Sequence, residues 1–243
     1  MRAPVKALVV VLVVAALAAG AGIWWFLRDD APAEVSLDAA REGVADTPDG
    51  GDAAAAEGIE GTWAVDPATA SSDPDATTGT FVGFRVQEEL AGIGSTTAVG
   101  RTGDVVGTIE IEGSTVTAAS FTADLTTIRT NDGRRDRRVQ DALETSAHPT
   151  AAFELTQPIE LGPGAAEGVP QTATAVGELT VHGVTQPVEL AVEAQLVGAT
   201  IVVVASTDLT FSDFGVAVPR APIVLSADDH GVLELQLHLT RSR

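Results

Sequence analysis

The chain has no cysteine, which removes disulfide bonds, thiolate catalysis, cysteine-ligated zinc and a lipid-modified N-terminal cysteine from consideration. Tyrosine is absent too, aromatic residues are 4% of the 243 residues, and Lys6 is the sole lysine. The 14 basic residues face 34 acidic ones, leaving a net charge of −20. An acidic body repels phosphate backbones, so no nucleic-acid partner is expected. Catalytic signatures are equally scarce. No G-x-S-x-G elbow occurs, and Asp213-Phe214-Gly215 has no catalytic-loop HRD or strand lysine to make it a kinase motif. Gly92-Ile93-Gly94 lacks the third glycine of a dinucleotide site and reads as a loop. His148, His182, His230 and His238 are scattered, with no two at metal-ligand spacing, and are expected in turns or at the surface. Neither an enzyme, a metal nor a cofactor is expected.

What the chain does contain falls into three regions: residues 1–27, 28–60 and 61–243. Residues 5–27 form an apolar run whose one charged residue is Lys6 near its start, about 34 Å long as a helix and enough to span a hydrocarbon core. Arg2 and Lys6 mark its cytoplasmic end, and Trp24 and Trp25 sit where interfacial aromatic residues belong. The expectation is a single membrane-spanning N-terminal helix with everything after Leu27 outside the cytoplasm. A cleaved signal peptide is the alternative, with Ala16-Leu17-Ala18 as its cleavage site. Residues 28–60 are rich in Ala, Asp, Glu, Gly and Pro. They are expected to form a disordered acidic linker, extended by self-repulsion, with at most a helical turn near residues 36–41.

From residue 61 onward the reading is all β. In residues 177–190, Leu179 and Val181 share one strand face while Glu178, Thr180 and His182 share the other. After a turn at His182-Gly183, Val188, Leu190 and Val192 alternate with Glu189, Ala191 and Glu193. Further strands are expected at residues 80–88, 104–112, 115–126, 151–158, 200–209 and 232–240. The last has Leu233, Leu235, Leu237 and Leu239 on one face and Glu234, Gln236 and His238 on the other. Period-two alternation marks strands with one face in a core and one in water. Many antiparallel strands joined by Gly-rich turns indicate a sandwich or a closed barrel. Residues 132–146 are the exception, a polar stretch expected to form a short helix that packs through Val139 and Leu143.

Several segments carry a resemblance. They are Trp63-Ala64-Val65-Asp66, Phe81-Val82-Gly83-Phe84-Arg85-Val86, Arg135-Asp136, residues 147–155 (AHPTAAFEL), Ser212-Asp213-Phe214-Gly215 and, most specific, Leu-Thr-x-His-Gly-Val-Thr-x-Pro-Val at residues 179–188. In that order they resemble the YceI-like family of lipid- or polyisoprenoid-binding proteins. The anchor and acidic linker are similar to those of actinobacterial, membrane-anchored members. The resemblance implies an eight-stranded antiparallel lipocalin-like barrel. Its apolar tunnel would hold an isoprenoid, quinone-like or other long-chain lipid. Two departures stand out. No histidine occurs in residues 68–78, where the family usually has a His-Ser pair, and Phe211 stands where an arginine commonly precedes Ser-Asp-Phe-Gly.

On that reading the tunnel is lined by Val82, Phe84, Phe121, Leu125, Phe153, Leu179, Val181, Phe211 and Phe214, although aromatic residues on strands also serve as plain core. The small residues Ala119, Ala123 and Gly177 are expected to leave interior volume. Arg129, Arg134, Arg135, Arg137 and Arg138 cluster within ten positions. Arg134, Arg135 and Arg138 are candidates for a rim that takes an anionic head group, since the guanidinium fork suits phosphate. A solvated helix face, with Asp132, Asp136 and Asp141 as partners, is the other reading. The function expected is an extracytoplasmic lipid carrier. The alternative is a cell-surface interaction module with a filled barrel core. A homodimer is left open.

Overall fold

The computed structural model describes residues 31–45, 58–90, 94–218 and 224–242. The anchor expected at residues 5–27 lies outside them. Among the described residues, no helix is long and apolar enough to cross a membrane.

Thirteen strands are described: β1 (Gly61–Val65), β2 (Phe81–Leu90), β3 (Gly94–Thr102), β4 (Val105–Glu112), β5 (Thr115–Asp124), β6 (Arg129–Thr130), β7 (Thr150–Leu155), β8 (Ile159–Glu160), β9 (Gln171–Val181), β10 (Val184–Val197), β11 (Thr200–Thr210), β12 (Val224–Ala227) and β13 (His230–Arg241). Two helices accompany them, α1 (Leu37–Ala45) and α2 (Gly133–Ala142). The strands pair antiparallel in the order β1-β4-β5-β7-β9-β10-β11-β13, and β13 pairs back onto β1, closing an eight-stranded barrel without a free edge. β13 shares one edge between two partners. Residues Leu239 and Arg241 meet β1, whereas Val232 to Gln236 meet β2, which carries β3 and β6 outward as a flap on the barrel.

Local chemistry accounts for the turns and caps. His182 (φ 54°) and Gly183 (φ 74°) form the two-residue turn between β9 and β10, with the doubly positive φ that such hairpins favour. Pro187 lies four residues into β10, before β11 begins to pair at Ala191, so its missing N–H faces an unpaired edge. α2 is capped by Asp132, whose carboxylate accepts from the Arg134 amide.

The alternation expected in β13 is present, but its second face is not in water. Glu234, Gln236 and His238 are as buried as the leucines between them. Two covering segments explain this. α1 lays Leu37 and Ala40 on Val202 and Val204 of β11, and residues 66–80 cover β13, where the amides of Gln236 and His238 donate to the Gly79 carbonyl and to Thr80 Oγ1. The expectation of a disordered linker over residues 28–60 is thereby corrected for residues 31–45, which fold onto the barrel. The position expected for His238, in a turn or at the surface, is corrected likewise.

Under this cover lies a buried ion pair. Arg101 Nη2 and Nε donate to Glu234 Oε1 at 2.7 and 3.0 Å, both side chains being 1% exposed. Arg101 also donates to the Ala76 carbonyl (2.6 Å) and the Ala33 carbonyl (3.3 Å), and its guanidinium lies 4.1 Å over the Phe81 ring. Arg85 donates to the carbonyls of Pro32 and Ala33. Gly83 is the register partner of both Arg101 and Glu234. A Cβ there would stand 2.2 Å from the Gly100 oxygen and 2.8 Å from Arg101 Cγ, so only glycine lets Arg101 cross β2 to reach the carboxylate.

Removing one member of a buried pair strands the other charge, at a cost of roughly 3–5 kcal/mol. Arg101→Met is therefore expected to lower unfolding stability by about that amount, and Arg101→Met with Glu234→Leu to recover most of it; urea denaturation of the variants checks this. His238 supplies a pH test. Burial lowers its pKa from the ordinary histidine value, against a hydrogen bond with the Ala40 backbone and the charge of Asp66, which raise it. The unfolded chain then takes the proton more readily than the folded one. Stability is full above about pH 6.5 and is lost as the pH falls below it. The urea midpoint between pH 7.5 and 5.5 should fall less steeply in His238→Gln than in the parent protein.

Candidate functional site

The inner faces of the barrel strands enclose a cavity of about 110 Å³. Its walls are aliphatic and aromatic: Ile109, Ala119, Phe121, Phe153, Leu190, Val203, Leu235 and Leu237 belong to it, and only Gln171 and Gln195 bring polar groups. It sits toward the end of the barrel formed by Ile59, the segment around Ile159, Leu161 and Ala165, and Leu196 at the close of β10. A second apolar cluster fills the other end, with Leu179, Phe214 and Val216 buried and Leu143, Phe153, Val181, Phe211 and Leu233 packed against them. Phe153 belongs to both regions.

The sequence-expected lining residues divide accordingly. Phe121 and Phe153 line the cavity. Leu179, Val181, Phe211 and Phe214 lie in the second cluster. Val82 packs against the main core beside Leu235, its register partner. The Phe84 ring occupies the space over Gly100, and Leu125 is buried in the turn Leu125–Thr127 after β5. Of the small residues, Ala119 borders the cavity. The space at Gly177 is taken by Phe153, whose ring would meet a Cβ there at 2.5 Å.

The arginines do not line the cavity. Arg134 and Arg138 are exposed on α2, while Arg135 pairs with Glu88 at 2.8 Å and donates to Asn131 Oδ1. The polar residue that sequence reasoning missed is Gln195. Its amide nitrogen donates to the Gly168 carbonyl at 2.9 Å, which fixes the orientation of the amide group. Gln195 lines the cavity, and its Oε1 is buried and has no hydrogen-bond partner. Such an acceptor suits a ligand that brings a donor. No sequence pattern announces this role, because Gln195 stands among small and apolar residues at the end of a long strand.

The fold is a closed antiparallel barrel with an apolar interior. The YceI-like domain model matches residues 63–239, and the chain belongs to the YceI-like family. Two solved structures share the fold at low sequence identity. One is a polyisoprenoid binding domain from Saccharophagus degradans implicated in plant cell wall breakdown (TM-score 0.54, 15% identity, covering 76% of this chain and 100% of that one). The other is Burkholderia cenocepacia BcnA (TM-score 0.50, 18% identity, covering 72% of this chain and 98% of that one). Among curated proteins, none matches the chain.

Phe153 gives the direct check on this geometry. Phe153→Ala should join the cavity to the space over Gly177, cost about 3 kcal/mol in urea denaturation and raise uptake of benzene-sized probes. Uptake equal to that of the parent protein would mean that the ring does not divide the interior.

Proposed function

We propose that the protein binds and carries a long-chain, isoprenoid-type lipid in the barrel cavity, on the extracytoplasmic side of a membrane to which residues 5–27 anchor it. The observation that carries this reading is the cavity itself, apolar on nearly every wall. The polyisoprenoid binding domain from Saccharophagus degradans, with the same fold, supports the choice of lipid class. The apolar run with its basic flank supports the location. Binding without chemistry fits a cavity whose only polar groups are two amides.

Size shapes the mechanism. A cavity of about 110 Å³ is smaller than the roughly 150 Å³ that accommodates benzene. A long lipid therefore enters by moving Phe153 and Phe121 aside and lengthening the cavity toward Leu179 and Phe214. Every CH₂ buried contributes about 0.8 kcal/mol, so affinity grows with chain length until the barrel is full. Gln195 Oε1 accepts a hydrogen bond from the lipid's head, which favours an alcohol over a bare hydrocarbon.

Fluorescence displacement with geraniol, farnesol and geranylgeraniol tests this on the purified protein. Affinity should rise along the series. Gln195→Leu should weaken each alcohol by about tenfold, the share of one neutral hydrogen bond, and leave a hydrocarbon of equal length unaffected. Replacing Arg134, Arg135 and Arg138 by Gln should not change binding of these neutral alcohols, whereas weaker binding of prenyl phosphates alone would assign the arginines to an anionic head group. Absence of saturable binding throughout the series would favour an interaction module with a filled core.

A further inference from the structure

Glu144 and His148, four residues apart, meet the distant His182 at the end of the barrel occupied by Phe214. One potential ligand atom from each lies within 4.8 Å of the others. The His148 and His182 rings stand edge to face, 5.0 Å between centroids. None of the three lines the lipid cavity.

Two of the three occupy backbone positions that ordinarily go to glycine. Glu144 follows the C-cap of α2 with φ 47°, and His182 opens the β9–β10 turn with φ 54°. Left-handed backbone is unfavourable for a non-glycine residue, and residues so held gather at functional sites. Gly183, beside His182, leaves room that the His148 ring takes up. A Cβ on Gly183 would stand 2.7 Å from His148 Cε1.

The protonation of His182 follows from its partners. Its Nδ1 lies 3.2 Å from the Phe214 carbonyl oxygen, which can only accept, so in the neutral ring Nδ1 carries the proton and Nε2 keeps a lone pair. That Nε2 is buried and has no hydrogen-bond partner. Glu144 Oε2 is 3.4 Å away, without the alignment of a hydrogen bond. A buried lone pair with no donor is uncommon and points to a missing electrophile.

We propose that Glu144, His148 and His182 bind a divalent transition metal of the zinc type. His182 supplies Nε2, His148 one ring nitrogen and Glu144 a carboxylate oxygen, with the fourth position open to water on the exposed Glu144 side. Two imidazoles and a carboxylate are a zinc donor set, and the 3.4 Å between His182 and Glu144 matches the edge of about 3.3 Å in a tetrahedron with bonds near 2.0–2.1 Å. The Phe214 carbonyl acts as the outer partner that orients a ligating histidine. The site ties α2, the start of β7 and the β9–β10 turn together with one ion.

Calorimetric titration of the chelator-treated full chain with zinc chloride tests this. One equivalent should bind and raise the melting temperature. Glu144→Gln and His148→Gln should each weaken zinc binding at least tenfold. His182→Asn should do the same, asparagine being chosen because it tolerates positive φ. The exposed Glu144→Gln keeps the result interpretable, since its metal-free melting temperature should equal that of the parent. No saturable zinc binding, or the same affinity in parent and all three variants, would overturn the proposal and leave Glu144 and His182 as a simple ion pair.

Discussion

The row Arg101–Gly83–Glu234 sets the conditions for the rest of the molecule. A charged pair 1% exposed on both sides is tolerable only if its remaining hydrogen-bonding capacity is met and water is kept away. The carbonyls of Ala33 and Ala76 meet part of that demand. The chain on either side of those carbonyls, α1 in one case and the loop before β2 in the other, supplies the cover. β13 is thus buried on both faces: leucines pack inward, and Glu234, Gln236 and His238 pack outward against covering chain. The inner wall is thereby fixed from behind, and Leu235 and Leu237 are held at the cavity whatever occupies it.

Strands were legible in the sequence where apolar residues alternate or run together, and this includes β13, whose second face is covered. β4, β5, β7, β9, β10 and β11 lie where period-two alternation placed them, as does α2, and the turn at His182-Gly183 stands as read. β3 was missed because its residues, Gly-Ser-Thr-Thr-Ala-Val-Gly-Arg-Thr, are all small except Arg101 and show no apolar alternation, being buried consecutively from Thr97 onward. β1 has only five residues, and β6 and β8 two each, too short for any period to show. α1 was obscured by averaging. Its Leu37, Ala40 and Val44 have helical spacing, but the surrounding excess of Ala, Asp and Glu makes the whole segment look unable to fold.

The sites divide in the same way. The apolar interior follows from inward-facing positions, and those are visible in a pattern. Which of the phenylalanines would border open space was not visible, because that depends on how Phe121 and Phe153 divide the volume across strands. Gln195 depends on its contact with Gly168, and the Glu144–His148 pair on its meeting with His182, 34 residues further along. Only pairing of β7 with β9, and docking of α2 and the turn Phe211–Phe214, bring them into place. Composition and spacing hold no record of such meetings.

Native mass spectrometry of the protein, purified from its own cells without added ligand and then gently activated, decides whether the barrel interior is a lipid site or a finished core. A lipid site predicts one bound species per chain, released as an apolar molecule of regular isoprenoid mass spacing, and lost when Ala119→Phe fills the cavity of a variant that still folds. A chain that flies at its bare mass under conditions that retain a bound lipid in a control carrier would contradict it.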